Sequence, residues 1–287
     1  MSTLGRRSSG FVAPRRPAAI ELDITVPDEH EIRRAIDRGE FVVHYQPVVN
    51  LTDGSVVAVE ALARWEHPGR GMLAPNLFIP AAERSGLIGP LGEAILEQSC
   101  EQVARWRRAG RDLALSVNLS AHQLRDGCLP TRLAAILDRT GMDPRQLWLE
   151  ITETALVDDR DHAGAGLWKI HELGPRLAID DFGTGWGSLT YLCQFPIDAL
   201  KIDRSFVGRL EARVNVAIIK SVITLGQELE LHVVAEGIET AEQRDHLIEF
   251  GCTEGQGFLF GRPAAPDNVF GDGQHCGHSV AARPCFQ

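Results

Sequence analysis

Phe41-Val42-Val43-His44-Tyr45-Gln46-Pro47-Val48-Val49 and Ser55-Val56-Val57-Ala58-Val59-Glu60-Ala61-Leu62 are two runs rich in β-branched residues, and only Asn50-Leu51-Thr52-Asp53-Gly54 lies between them. Asp-Gly is a hairpin signal, so the two strands are expected to run antiparallel. Six further strand runs follow, at Leu113–Leu119, Leu147–Thr152, Arg176–Asp181, Ala199–Asp203, His232–Gly237 and Glu254–Phe260. Segments with helical periodicity separate most of them. Ala81–Arg107 and Gln123–Asp138 are two, and in Val207–Leu231 the residues Ile218, Val222, Leu225 and Leu229 recur at helical spacing. Parallel neighbours need a crossover helix, so the chain after the hairpin reads as βαβ units. Eight strands with helices outside close into an α/β barrel of the (β/α)8, TIM-like kind with an antiparallel first strand. A doubly wound open sheet is the alternative, since a strand count does not show closure.

One domain, residues 27–263, suffices. Residues 1–26 are rich in Arg, Ser, Pro and Gly and read as a flexible N-terminal leader, and 264–287 read as a flexible C-terminal tail. Across all 287 residues, 44% are hydrophobic and 24% charged, which excludes disordered and collagen-like classes. Lys+Arg 29 minus Asp+Glu 39 leaves −10. That balance argues against a protein that grips DNA or RNA through a broad basic surface. No apolar run approaches the roughly 18–20 residues of a membrane span. Arg6-Arg7 resembles an export signal, but Phe11-Val12-Ala13 is too short for its apolar region. The six cysteines have irregular spacing and form no C-x-x-C pair, which fits a reducing compartment, so the cytoplasm is the expected location. His275-Cys276-Gly277-His278 could catch a metal, but it lies in a Gly-rich tail and reads as solvated chain.

The chemistry collects at strand ends. Seven of the eight runs carry, at or near their C-terminal end, a polar residue: Glu60, Asn118, Glu150, Asp180 with Asp181, Lys201 with Asp203, Glu236 and Gln256. Barrel strands are buried and should be apolar, and the C-terminal ends of barrel strands converge where this fold builds active sites. Several carboxylates at one mouth cannot all ionise without a counter-charge. The donors are all oxygen, which selects hard cations such as Mg2+ or Mn2+ over zinc. Two such ions bridged by carboxylates are common equipment for phosphodiester hydrolysis. Lys201 is the built-in cation of the set, able to stabilise an anionic transition state or orient water. Asp180-Asp181-Phe182-Gly183-Thr184-Gly185-Trp186-Gly187 follows a strand, but its spacing is G-x-G-x-G. Two aspartates also precede it where a dinucleotide's pyrophosphate would sit, so it reads as a loop with metal ligands at its base.

Further motifs surround these residues: Tyr45-Gln46-Pro47, Glu60-Ala61-Leu62-Ala63-Arg64-Trp65, Phe78-Ile79-Pro80, Asn118-Leu119-Ser120 and Glu150-Ile151-Thr152-Glu153. They continue with Lys201-Ile202-Asp203, Ala235-Glu236-Gly237-Ile238-Glu239-Thr240 and Gln256-Gly257-Phe258. In this order, over residues 27 to 263, the chain resembles the EAL-domain phosphodiesterases, which hydrolyse the bacterial second messenger cyclic di-GMP. The resemblance implies a two-metal, Mg2+- or Mn2+-dependent hydrolase giving linear pGpG, commonly inhibited by calcium and often a homodimer. It implies that Glu60, Asn118, Glu150 and Asp180 ligate one ion, and that Asp180 and Asp181 hold a second with Glu236 nearby. Glu60, Lys201 and Glu236 would be catalytic, Lys201 by positioning the attacking water. Gln46, Arg64, Asp203 and Gln256 would bind the nucleotide or support its site, Glu153 would anchor the loop starting at Asp181, and Glu239 would support the site. Trp186, Gly187 and Phe258 depart from residues frequent in the family (Tyr, Ser and Tyr), and none of the three is an expected metal ligand. Degenerate relatives that bind the nucleotide without cutting it lose acidic ligands, all of which are present here. A scaffold with a vestigial site would have neither metal nor nucleotide affinity.

Overall fold

The computed structural model describes residues 26–157, 160–184 and 192–270. The leader up to residue 25, Trp186 and Gly187, and the His275–His278 motif lie outside the described residues. The hairpin forms as its sequence suggests. Strands β1 (Phe41–Asn50) and β2 (Val56–His67) pair antiparallel with Gln46 opposite Glu60. Their turn is closed by Asn50 N–H donating to Ser55 O at 2.8 Å and Gly54 N–H to Asn50 O at 2.9 Å. From β2 the sheet continues in parallel through β4 (Ala114–Asn118), β5 (Leu147–Thr152), β6 (Arg176–Phe182), β7 (Ala199–Ile202), β8 (His232–Ala235) and β9 (Glu254–Gln256). β9 then pairs antiparallel with β1, Val48 opposite Gln256, and the barrel closes at eight strands with β1 reversed. Closure settles the choice against an open sheet.

The sequence reading stopped β2 at Leu62. The strand runs five residues further and carries a short extra strand, β3 (Gly71–Leu73), paired antiparallel outside the barrel. Conversely, the last expected strand is only Glu254–Gln256. The expected Ala81–Arg107 helix is two, α2 (Pro75–Arg84) and α3 (Ile88–Arg108), broken where Gly86 takes a left-handed φ of 73°. Gln123–Asp138 likewise divides into α4 (Ala121–Leu124) and α5 (Leu129–Thr140) at a turn in which Asp126 Oδ1 accepts from Cys128 N–H.

Among the described residues the other α-helices are α1 (Glu29–Arg38), α6 (Glu153–Val157), α7 (Arg160–Glu172), α8 (Arg204–Val207), α9 (Arg213–Glu228) and α10 (Ala241–Glu249). In α9 the fully buried face is Ile219, Val222, Ile223 and Gly226; of the predicted series Val222 belongs to it, Ile218 and Leu225 pack half-buried at its edge, and Leu229 is 48% exposed. Gly226 explains the rotation, since a Cβ there would lie 2.3 Å from Val233 of β8, so glycine alone lets the helix settle on this face. The outward sides of the strands bury Leu115, Leu149, Ile151, Leu177, Ile179, Leu200 and Ile202 under the helices. Residues 264–270, part of the segment expected as tail, pack on the barrel. Ala264 bridges to Tyr45, Val269 is buried, and the Phe270 ring stacks edge-on against Trp106 with centroids 5.0 Å apart.

Candidate active site

Side chains alternate along a strand, so residues two apart share a face. Ser116 and Asn118 of β4, Ala178 and Asp180 of β6, and Ala199 and Lys201 of β7 therefore face the barrel axis in rising layers. The pairing of Asn118 with Glu150 and of Gln46 with Glu60 brings these levels into register. Glu60 is held from both sides. Its Oε1 accepts from Asn118 Nδ2 at 2.8 Å, and its Oε2 accepts from Gln256 Nε2 at 2.5 Å. Glu150 Oε1 accepts from Ser116 Oγ at 2.5 Å, deep in the barrel.

Lys201 stands at the centre. Its Nζ lies 2.6 Å from Glu236 Oε1, 2.7 Å from Glu150 Oε2, 3.5 Å from Asp180 Oδ1 and 4.0 Å from Glu60 Oε2. Burial by itself would depress the lysine, and Glu150, Glu236, Glu60 and Asp180 together outweigh it, so the ammonium is held charged well above the ordinary lysine range. Glu150 and Glu236 are raised too, which for a carboxyl favours the neutral form. Burial pushes Glu150 up, Lys201 opposing it and Glu60, Asp180 and Glu236 reinforcing it. Burial, then Asp180 and Glu60, lift Glu236 to about 7 against the pull of Lys201.

Asp181 is raised to about 6, first by burial, then by Asp180 and by a hydrogen bond shared with Asp203. Burial would raise Asp203 too, but hydrogen bonds from Ser205 and Asp181 prevail and hold it low. The Asp203 carboxylate accepts from Ser205 N–H and hydroxyl while capping α8. Asp181 itself has a left-handed φ of 53°, uncommon outside glycine, at the point where β6 leaves the barrel.

Asp180, Asp181 and Glu236 each bring one carboxylate oxygen within 4.8 Å of the others. The buried Asp180 Oδ1 makes no hydrogen bond among the described residues beyond its 3.5 Å approach to Lys201 Nζ. An all-oxygen set of this kind fits a hard divalent cation.

The remaining expected residues divide. Buried Gln46 donates through Nε2 to Gly261 O at 3.0 Å, and half-buried Arg64, four residues beyond Glu60 on the same strand, donates to Ala63 O. Glu153 is buried where α6 opens, and the loop it is expected to anchor runs on beyond the described residues. Glu239 is exposed on the loop after β8, its backbone N–H donating to Gln243 Oε1. Phe258 is half exposed with the Arg262 guanidinium 4.0 Å from its ring centroid. Two features escaped the sequence reading. Ser116 could have been found by counting two residues back from Asn118. A groove of about 710 Å3 opens beside Asn118 and is walled by Leu62, Asn76, Ile79, Pro80, His122 and Gln123, of which Ile79 and Pro80 stood in a motif to which no role was given.

An acidic, lysine-centred mouth on a barrel with one reversed strand defines a class of protein, and comparison with known proteins agrees. The family model described as "EAL domain" matches residues 29–263. The chain belongs to the EAL domain family. It is 42% identical over 242 residues, 84% of its length, to the bifunctional diguanylate cyclase/cyclic di-GMP phosphodiesterase MucR of Pseudomonas aeruginosa, and covers 35% of that protein. To the cyclic di-GMP phosphodiesterase PdeR of Escherichia coli it is 39% identical over 233 residues, covering 81% of this chain and 35% of PdeR. A solved structure titled PaMucR phosphodiesterase, c-di-GMP complex, superimposes with a TM-score of 0.80 at 40% identity, covering 84% of this chain and 98% of that one. The chain spans about a third of the length of these two curated relatives.

Proposed function

We propose that this chain hydrolyses cyclic di-GMP to linear pGpG, lowering the level of the second messenger in bacterial signalling. The observation that carries this reading is the convergence of Glu60, Glu150, Asp180 and Glu236 on Lys201 at the barrel mouth, next to a groove of about 710 Å3. The phosphodiesterase names of MucR and PdeR, and the cyclic di-GMP complex of the former, support it.

In this reading Glu60, Asn118, Glu150 and Asp180 would hold one Mg2+ or Mn2+, and Asp180 and Asp181, with Glu236 alongside, a second. Bound there, the ions would acidify a water and neutralise charge on the phosphoryl oxygens. The residues supply the rest. Lys201 orients the attacking water and meets the negative charge that builds as it adds to phosphorus. Glu236, its pKa near neutrality, is suited to take the water's proton. The bond from phosphorus to the 3′ oxygen breaks in line, leaving a 5′-phosphate on one end and a 3′-hydroxyl on the other. Gln46, opposite Glu60 in the hairpin, and Arg64, four residues beyond Glu60 on β2, would bind the nucleotide, with Asp203 and Gln256 at its edge. Arg64 and the metals also reconcile an anionic substrate with a chain of net charge −10.

The same reading makes this chain part of a cytoplasmic homodimer that binds neither DNA nor RNA, with no membrane-crossing segment expected within it. Among the described residues no helix is long and apolar enough to span one. Chromatographic product analysis of purified protein with cyclic di-GMP, in Mg2+, in Mn2+ and in chelator, tests the activity. Metal-dependent pGpG is the expected product. Tight nucleotide binding without cleavage would replace the enzyme with a receptor, and neither product nor binding would leave a scaffold.

A further inference from the structure

The end of the barrel opposite the acidic mouth carries charged side chains that the proposed reaction leaves unused. Arg176, His232 and Glu254 are the first residues of β6, β8 and β9. With Trp148, and with Arg145 and Gln146 of the 3-10 turn Pro144–Gln146, they line a cavity of about 80 Å3 that reaches up the axis to Glu150 and Lys201. Gly174, at a φ of 109°, brings that turn against the start of β6, since a Cβ there would lie 2.8 Å from Pro144 Cβ.

The charges at this end do not cancel. Higher up, Lys201 is met by Glu150 at 2.7 Å. Below, Glu254 is the carboxylate, and His232 Nδ1 lies 3.3 Å from its Oε1. An imidazole that donates from Nδ1 accepts at Nε2, and Arg176 Nη1 stands 3.5 Å from that atom. The Arg176 guanidinium lies over the Trp148 ring, 5.0 Å from its centroid. Among the described residues no carboxylate pairs with Arg176 or with the exposed Arg145. Two guanidiniums therefore face one carboxylate, which leaves a net positive charge for an anion to meet. Gln146 adds a second demand. Its Nε2 donates to Asp112 Oδ1 at 2.5 Å, which fixes the amide and leaves Oε1 as a buried acceptor without a donor. A matching occupant offers acceptor oxygens to arginine and a proton to an amide carbonyl. Hydrogen phosphate has both. Sulfate, and a phosphomonoester doubly ionised above about pH 6, have acceptors alone. A buried water needs roughly 10–15 Å3 of cavity, so this one admits a four-oxygen anion.

We propose that the N-terminal end of the barrel is a second ligand site, and that it binds inorganic hydrogen phosphate. Arg176 and Arg145 take the phosphate oxygens, and Gln146 Oε1 accepts from its hydroxyl. The site lies at the far end of the axis from the catalytic mouth, so its occupant does not compete with a nucleotide bound there. It stands whether or not the chain cleaves cyclic di-GMP.

The test is calorimetric titration of inorganic phosphate and of sulfate into metal-stripped full-length chain at pH 8, for the parent, Arg176→Gln, Arg145→Gln and Arg64→Gln. The parent is expected to bind phosphate at one saturable site and sulfate at least about tenfold more weakly, because sulfate leaves Gln146 Oε1 without a donor. Arg176→Gln should weaken phosphate binding about tenfold or more, and Arg145→Gln, at the exposed rim, about threefold. Arg64→Gln, at the other end of the barrel, should leave it unchanged. Absence of saturable phosphate binding up to roughly 10 mM overturns the proposal. Sulfate bound as tightly as phosphate also overturns it, since that describes a general anion patch. Phosphate binding lost in Arg64→Gln and kept in the other two variants would place the anion at the catalytic mouth, and overturns it as well. Arg176 is stacked on Trp148. If Arg176→Gln does not fold, Arg145→Gln decides alone: weaker phosphate binding at an unchanged melting temperature supports the site, and unchanged binding overturns it.

Discussion

Replacing Ser116 with alanine deletes one oxygen at the base of the site. That hydroxyl donates to Glu150 Oε1 at 2.5 Å, with the serine 7% and the glutamate 2% exposed, so a replacing water would have to come from the small cavity that both residues line. A hydrogen bond to a charged acceptor contributes about 1.5–3 kcal/mol, and an acceptor left unpaired in the interior retains its desolvation cost. A loss of about 2 kcal/mol lowers the melting temperature of a domain this size by roughly 4–8 °C. A second effect follows from charge. Burial already pushes the Glu150 carboxyl up, and losing a donor to its ionised form pushes it further. Mn2+ affinity should therefore fall about 10–100-fold, the usual cost of removing a residue that orients a ligand. The deficit should be largest at low pH, where the extra protonation competes most. Ser99→Ala is the control, because Ser99 Oγ donates to Ile95 O at 2.6 Å in an equally dry place outside the acidic cluster. It should cost stability and leave Mn2+ affinity alone. Calorimetry and thermal melts of the two variants check both parts. A Ser116→Ala protein that melts within about 1 °C of the parent and binds Mn2+ as well would refute the reasoning, as would equal metal defects in both variants.

Glu60→Ala frees two amide donors, Asn118 and Gln256, and removes an expected ligand, so pGpG release should fall by about 10³-fold or more; turnover at the parental rate would sink the ligand assignment. Glu153→Ala should lose most turnover while keeping cyclic di-GMP affinity, read as kcat beside a nucleotide Kd. A parental metal response in that variant would count against its role as loop anchor. Mn2+ affinity should decline as pH falls from 8 to 6, because Glu236, near 7, and Asp181, near 6, take up protons that the ion must displace. Titrations in two buffers of different ionisation enthalpy would report that proton release, and heats independent of buffer would contradict it.

Most strands were legible because their signal is local. β-branched runs bounded by turn residues marked eight strands, and a polar residue ending a buried strand is conspicuous in one dimension. Helices were less legible where an interruption was short. Ser85-Gly86-Leu87 and the Asp126 turn each break a periodic pattern for only a few residues, and the apolar spacing continues across the break. The centre of the buried face of α9 was placed off by part of a turn because apolar residues flank Val222 on both sides, at Ile218 and Leu225 and at Ile219 and Ile223. Only the approach of Val233 to Gly226 selects between them. Ser116 was overlooked because a serine inside an apolar run looks neutral until the strand beside it places Glu150 within hydrogen-bonding distance.

By itself, then, the sequence determined the strand succession, the reversal of the first strand and the acidic residues at the strand ends, since each depends on neighbours a few positions away. Tertiary structure alone decided that the sheet closes through β9 onto β1, that four carboxylates meet on one lysine, and that Asp181 and Asp203 share a hydrogen bond. It also decided that side chains from several strands, Ala178, Ala199, Trp148 and Arg176 among them, enclose a small cavity reaching that lysine. These features depend on inter-strand register and on distances between residues as far apart as Glu60 and Gln256. Burial then converts such proximity into shifted pKa values, and no pattern along the chain specifies how deeply a group is buried.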